Sequence, residues 1–318
     1  MGTVAYSVER PQQRWRALRR GSTPYLFLLP GLVLMLFSTL IAIGYTIYIS
    51  FTNYSLYHFT SFGWIGIANY KSIFSALDAS TFGRTLVWTI GYSVLATLLA
   101  FALGLGLALL LNDKEIKERN VYRTLLIVPW ALPAAITILA WSGILNPDFG
   151  YANTLLHDLS ISPVPWLSDP TWARLSVLMV ATWMGYPFMM TACLGALQAV
   201  PDELVEASKI DGARNVAIFR FVTLPVLRSV VVPLLISTYS FNFTNNFNMI
   251  YLLTAGGPAV SGSQAGATDT VLSYSYKLTL TYQRYGIASA VAVTVFAIVA
   301  ITWLAQAMFT GAFKESVR

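Results

Sequence analysis

The chain has 318 residues, of which 56% are hydrophobic and only 11% charged, with a net charge of +6. A soluble domain carries about 25% charged residues, so this composition excludes an ordinary soluble enzyme, and the wealth of apolar side chains excludes a disordered chain. One cysteine, Cys193, excludes a disulfide framework and any Cys-rich metal site.

A helix crossing the hydrocarbon core needs about 20 largely apolar residues. Six stretches qualify: residues 24–52, 85–112, 122–146, 172–200, 224–254 and 285–311. The expected fold class is therefore an all-α membrane protein with six transmembrane helices. The first stretch is too long for a signal-peptide core and no small-residue cleavage site follows it, so it reads as a retained anchor.

Basic residues orient the bundle. Arg10, Arg14, Arg16, Arg19 and Arg20 precede the first span, Lys114, Lys117, Arg119 and Arg123 lie between the second and third, Lys209, Arg214, Arg220 and Arg228 between the fourth and fifth, and Lys314 and Arg318 in the tail. The opposite side holds only Lys71, Arg84, Arg174, Lys277 and Arg284. Both termini are predicted to be cytoplasmic. The positive charge is thus a consequence of topology and implies no nucleic-acid partner.

On the outer side, Tyr54, Tyr57, Phe59, Phe62 and Trp64 follow the first span, and Trp166 and Trp172 flank the fourth. Aromatics at such positions read as interfacial anchors. His58 and His157 are isolated from one another, so no metal site and no cofactor is expected.

The apolar segments contain no acidic residue, and Lys and Arg occur only at their ends. Ion-coupled transporters and proton relays need ionisable groups inside the membrane, and a membrane hydrolase needs a nucleophile with a base or a metal. The chain has no Gly-Lys dipeptide and so no phosphate loop of its own. It is not expected to be an enzyme, and active transport would need an ATPase on another chain.

Pro129 and Pro133 are expected to interrupt the third span, Gly185-Tyr186-Pro187 the fourth and Pro233 the fifth. The fifth also carries Thr238, Tyr239, Ser240, Asn242, Thr244, Asn245, Asn246 and Asn248, interleaved with Phe241, Phe243 and Phe247. Amides in lipid are costly unless they face a partner helix or a water-filled passage. Asparagines beside aromatic rings suit a neutral, hydroxyl-rich ligand. Interhelical hydrogen bonding is the alternative use.

Between the fourth and fifth spans, residues 201–225 read as a short helix, a glycine turn at Gly212 and a second amphipathic helix that exposes Val216, Phe219 and Phe221. Such helices either lie on the membrane surface or dock into a groove of a soluble partner. Here Glu206-Ala207-Ser208, Asp211-Gly212-Ala213 and Leu224-Pro225 resemble the EAA loop of ABC importer permeases, with Ser208 in place of the second alanine. The run Trp183-Met184-Gly185-Tyr186-Pro187-Phe188, with Pro201-Asp202-Glu203-Leu204, Ser240-Phe241-Asn242-Phe243 and Leu252-Leu253-Thr254-Ala255-Gly256-Gly257-Pro258, resembles the larger permease subunit of binding-protein-dependent maltose and maltodextrin importers (MalF type).

That resemblance implies the type I ABC importer permease fold in the cell membrane. It would comprise a cytoplasmic tail at 1–23, the first helix and outer loop at 24–83, a transmembrane domain at 84–311 containing a coupling loop at 202–225, and a second tail at 312–318. It implies sugar contacts from Met184, Gly185, Phe188, Thr238, Phe241 and Asn242, with Asn245 and Asn246 following in a stretch one residue longer than the family pattern. Coupling to the ATPase falls to Glu203, Glu206, Ala207, Ser208, Asp211, Gly212 and Ala213. The implied partners are a second permease subunit, two cytoplasmic ATPase subunits, an extracytoplasmic sugar-binding protein, a maltose-type sugar and membrane lipid. Another di- or oligosaccharide, glycerol phosphate, or a passive channel are the alternatives.

Overall fold

A computed structural model describes residues 11–113 and 115–309. Of the basic residues used for orientation, Arg10, Lys114, Lys314 and Arg318 lie outside the described residues. So do the first ten residues of the expected N-terminal tail and the whole of the C-terminal one.

The regular structure of the described residues is all helical, apart from one isolated bridge between Thr52 and Trp64. In chain order the helices are α1 (Pro11–Ser50), α2 (Ala68–Ile73), α3 (Ala76–Leu111), α4 (Arg119–Ala131), α5 (Ala134–Ile144), α6 (Tyr151–Asp158), α7 (Pro170–Gln198), α8 (Asp202–Ile210), α9 (Asn215–Ile218), α10 (Leu224–Thr244), α11 (Phe247–Thr254), α12 (Val271–Leu280) and α13 (Tyr285–Phe309). Five continuous helical stretches are long and apolar enough to cross a membrane, and the α4–α5 pair makes a sixth if it counts as one broken span.

Two expected spans differ from straight rods. α4 and α5 are bent by 91°. Pro133 causes the break: it drives Leu132 into an extended conformation (ψ 143) and restarts the helix behind it. Pro129 stays inside α4. The fifth span starts earlier than expected, because α9 runs through a π-helical turn, Phe219–Thr223, straight into α10. Pro225 lies at the start of α10 and supplies no N–H to the preceding turn, which the widened turn absorbs. The span also ends at Thr244 instead of continuing to residue 254. Pro187 and Pro233, expected to interrupt their spans, remain inside continuous helices α7 and α10.

The centre of the bundle is the α3–α7 pair. A Cβ on Gly104 would lie 2.7 Å from Met189 Cβ, and one on Gly185 3.2 Å from Ala100 Cβ. These small residues let the two backbones approach closely, the packing that substitutes for a hydrophobic driving force in lipid.

On the same helix Thr81, Thr85, Thr89, Ser93 and Thr97 recur at every fourth position and all are buried. Each hydroxyl from Thr85 onward donates to the carbonyl one turn back. Their lone pairs then accept from neighbours. Val271 N–H donates to Thr89 Oγ1 at 2.9 Å, and Asn242 Nδ2 to Thr97 Oγ1 at 3.0 Å. This ladder ties α10 and α12 to α3.

Candidate functional site

The expected sugar-contacting residues divide between two exposed faces and the interior. On α10, Ser237, Phe241 and Thr244 are exposed and follow helical spacing along one face, and Asn245 at its C-cap and Asn248 in α11 are exposed beyond its end. Phe241 is 62% exposed. On α7, Phe188 and Thr191 are exposed and Met184 is half-buried on the same side. The Phe188 ring lies 6.3 Å from that of Trp130. No charged residue occurs at 175–198 of α7 or at 229–248, which covers most of α10 and the start of α11. α7 and α10 pack against each other.

Thr238 and Asn242 are half-buried, and Asn242 spends one amide hydrogen on Thr97. Gly185 lies at the α3 contact and supplies closeness there.

Asn246 is not part of these faces. It is 1% exposed. Its Nδ2 donates to the carbonyls of Asn242 (3.1 Å) and Phe243 (3.0 Å), and its Oδ1 accepts from Thr270 Oγ1 at 2.7 Å. The amide satisfies backbone groups freed where α10 stops, which the bilayer would otherwise leave unpaired. Asn246→Ala is expected to lower the unfolding midpoint of the purified protein, since an orphaned buried polar group costs about 1–3 kcal/mol. The KM for transport should be unchanged in molecules that remain folded.

At one end of the bundle, α8 ends in a Schellman closure. Gly212 has φ +79, its N–H donates to Lys209 O at 3.0 Å, and Ala213 N–H donates to Ser208 O at 2.9 Å. Glu203, Glu206, Ala207, Asp211 and Gly212 are exposed, with Ser208 and Ala213 half-buried. Ser208 Oγ donates to Leu204 O at 2.7 Å. Ile210 (86%), Val216 and Phe221 are strongly exposed. Phe219, expected to be exposed with them, instead packs against a cluster of α3, α7 and α10 residues. The π-helical turn rotates it toward the bundle. Exposed apolar side chains beside exposed carboxylates make a surface suited to a soluble partner.

At the opposite end, the loop at 255–270 is locked by a group that composition did not reveal. The Asp269 carboxylate is fully buried and accepts from Lys277 Nζ (2.6 Å), Gly266 N–H (2.7 Å) and Ser273 Oγ (2.8 Å). Burial pushes its carboxyl above the usual range, while the Lys277 ammonium and the two hydrogen bonds pull it back. Gly256 has φ +76, and a Cβ there would lie 1.9 Å from Asp269 Oδ1. Arg174 Nε holds the same loop through the Ala267 carbonyl at 2.9 Å and stacks over Trp88.

The chain matches the profile described as "Binding-protein-dependent transport system inner membrane component" over residues 100–313. It is 38% identical to the galactooligosaccharides transport system permease protein GanP of Bacillus subtilis (strain 168) over 299 residues, covering 92% of this chain and 71% of that one. It is 46% identical over 230 residues to the maltose/maltodextrin transport system permease protein MalF of Vibrio vulnificus (strain YJ016), covering 70% of this chain but only 44% of MalF. In fold it is similar to a crystal structure of a bacterial ABC transporter involved in the import of the acidic polysaccharide alginate, with a TM-score of 0.76 at 23% identity, covering 93% of this chain and 98% of that one. With the profile matched along more than half of its length and a relative this similar along nearly all of it, the chain belongs to the family of binding-protein-dependent transport system inner membrane components.

Proposed function

We propose that the chain forms one half of the passage of an ATP-driven importer for malto-oligosaccharides, with both termini in the cytoplasm. It pairs with a second permease, two cytoplasmic ATPase subunits and an extracytoplasmic sugar-binding protein. The observation that carries this reading is the uncovered face of α10, where Phe241 stands between Ser237 and Thr244, with Asn245 and Asn248 exposed just past the helix end and no fixed charge among them. Hydroxyls and amides match sugar hydroxyls, and an aromatic face matches the apolar side of a pyranose ring. The lack of a cation there disfavours glycerol phosphate. The loop at 202–225 is the ATPase-docking element, supported by the exposed Ile210, Val216 and Phe221 and by the absence of a phosphate loop in the chain. The name of GanP supports galacto-oligosaccharides as a second reading.

Uptake of labelled maltotriose and of a labelled galacto-oligosaccharide, in a strain lacking its other sugar importers, tests the reading. Uptake of neither sugar overturns it. Phe241→Ala should remove about 1.5–3 kcal/mol of apolar contact and raise the uptake KM roughly 10- to 100-fold, with assembly intact. Asn242→Ala should reduce uptake more than Thr97→Val does. The latter removes only the interhelical bond, worth about 0.6–2 kcal/mol. Equal effects would confine Asn242 to the α10–α3 contact.

A further inference from the structure

Where α1 ends and α13 begins, the chain builds a cavity that the transport reading leaves unused. Gly286 allows the two segments to meet: its N–H donates to the Tyr54 carbonyl at 2.8 Å, and a Cβ there would lie 2.4 Å from the Thr52 carbonyl oxygen. Beside this crossing lies a cavity of about 230 Å³, whose lining includes Asn53, Ser55, His58, Asn69 and Arg284. That is several times the ~30 Å³ that one water molecule occupies.

The polar groups around it form a donor set with a single fixed charge. None of the lining residues is acidic. Asn69 spends its amide hydrogens on the Ser50 and Thr52 carbonyls. Asn53 Oδ1 is taken by Gly63 N–H, leaving its NH2 as a donor without an acceptor among the described residues. Ser55 Oγ and His58 Nδ1 lie 3.3 Å apart, leaving the other ring nitrogen of His58 for a ligand.

Arg284 is half-buried, and its guanidinium has no hydrogen-bond or ion-pair partner among the described residues. Lys277, at the same end of the bundle, is neutralised by Asp269 at 2.6 Å. Arg284 has no such counter-charge.

The surroundings say which anion is at hand. The apolar length of α1 is largely exposed from Phe27 to Tyr48, and the cavity opens at its end, where lipid headgroups begin. Tyr57 (90% exposed) and Trp64 (65%) belong to the same segment between α1 and α2, and exposed aromatics beside the end of an apolar helix suit a bilayer interface.

We propose that this cavity holds the phosphate of an anionic phospholipid, with Arg284 as its counter-charge and Asn53 and His58 as further donors. The acyl chains then lie along α1. A guanidinium presents paired N–H groups that match two phosphate oxygens at once. The leaflet, the outer one, rests on the orientation proposed above; the site itself does not depend on which sugar is carried.

The test uses the assembled complex. Wild type, Arg284→Gln and Arg284→Lys are titrated in detergent with phosphatidylglycerol, with phosphatidylcholine and with inorganic phosphate, and bound lipid is counted by native mass spectrometry. Both variants should insert and assemble, because the Arg284 side chain makes no bond among the described residues. Preferential retention of phosphatidylglycerol is expected, weakened at least about tenfold in Arg284→Gln by loss of a charge-assisted bond, with Arg284→Lys intermediate. Equal lipid retention in all three proteins overturns the proposal. Binding of inorganic phosphate with the same Arg284 dependence, but no selective lipid binding, makes the ligand a free anion and overturns the lipid. If Arg284→Gln leaves lipid retention intact and weakens binding of the extracytoplasmic protein instead, the cavity is a protein dock and the proposal fails. Loss of sugar uptake in the wild type, with selective lipid binding retained, would overturn the transport reading alone.

Discussion

Gly212→Val is expected to abolish sugar uptake and sugar-stimulated ATP hydrolysis while the protein still inserts and assembles. Gly212 adopts φ +79, and the position a Cβ would take has no neighbour within 4 Å. The cost is therefore conformational and not steric crowding: about 1–2 kcal/mol for a side chain in the left-handed region, and more for a β-branched one. Relieving that strain means abandoning the closure in which Gly212 and Ala213 donate to Lys209 and Ser208, so the chain would leave α8 in another direction. Ile210 and Val216, on either side of the turn, would then no longer present one apolar surface. Gly212→Asn is the informative partner, because asparagine tolerates the left-handed region and should retain most activity. Glu206→Lys leaves the backbone alone and reverses an exposed charge, so its loss of ATPase stimulation would report docking rather than folding. The measurement is ATP hydrolysis by the purified complex with binding protein and sugar present. Normal stimulation in Gly212→Val would remove this loop from coupling.

The second large effect is expected at Asp269. Asp269→Ala leaves the Lys277 ammonium, the Gly266 amide and the Ser273 hydroxyl around an emptied site. Removing one partner of a buried pair costs about 3–5 kcal/mol, a large part of a typical protein's total stability. Membrane-inserted protein should fall sharply, and what remains should unfold at a markedly lower temperature in detergent. Asp269→Asn, which keeps the shape and an acceptor, should be milder. The double change Asp269→Ala with Lys277→Met should recover part of the loss, because no unpaired charge is then buried. If the single and double variants were equally unstable, the two hydrogen bonds to Asp269 would outweigh its ion pair.

Much of this was legible in the amino-acid order because it depends on local properties. Apolar length located the α1, α3, α7 and α13 spans, since a helix in lipid satisfies its own backbone and needs no partner to be recognised. Gly212 was readable as a turn because only a residue without a Cβ enters the left-handed region cheaply.

What the sequence did not reveal depends on partners distant along the chain. Asn246 and Asn245 are neighbours of one residue type, yet one is 1% exposed and bonded to Thr270 and the other lies on the open face. Both sit at the break between α10 and α11, and no local propensity encodes which of them turns inward. The every-fourth-residue spacing of Thr85, Thr89, Ser93 and Thr97 was visible, but the donors that make it a ladder come from Asn242 and Val271. Nothing local marks Asp269 as buried; Lys277 and the folded loop close over it. The sequence by itself determined which segments enter the membrane and which residues can turn or bond. The tertiary structure decided which polar groups are used up inside the protein and which remain open to a ligand, because in a low-dielectric interior each buried polar group is held by whichever partner the fold brings within hydrogen-bond distance.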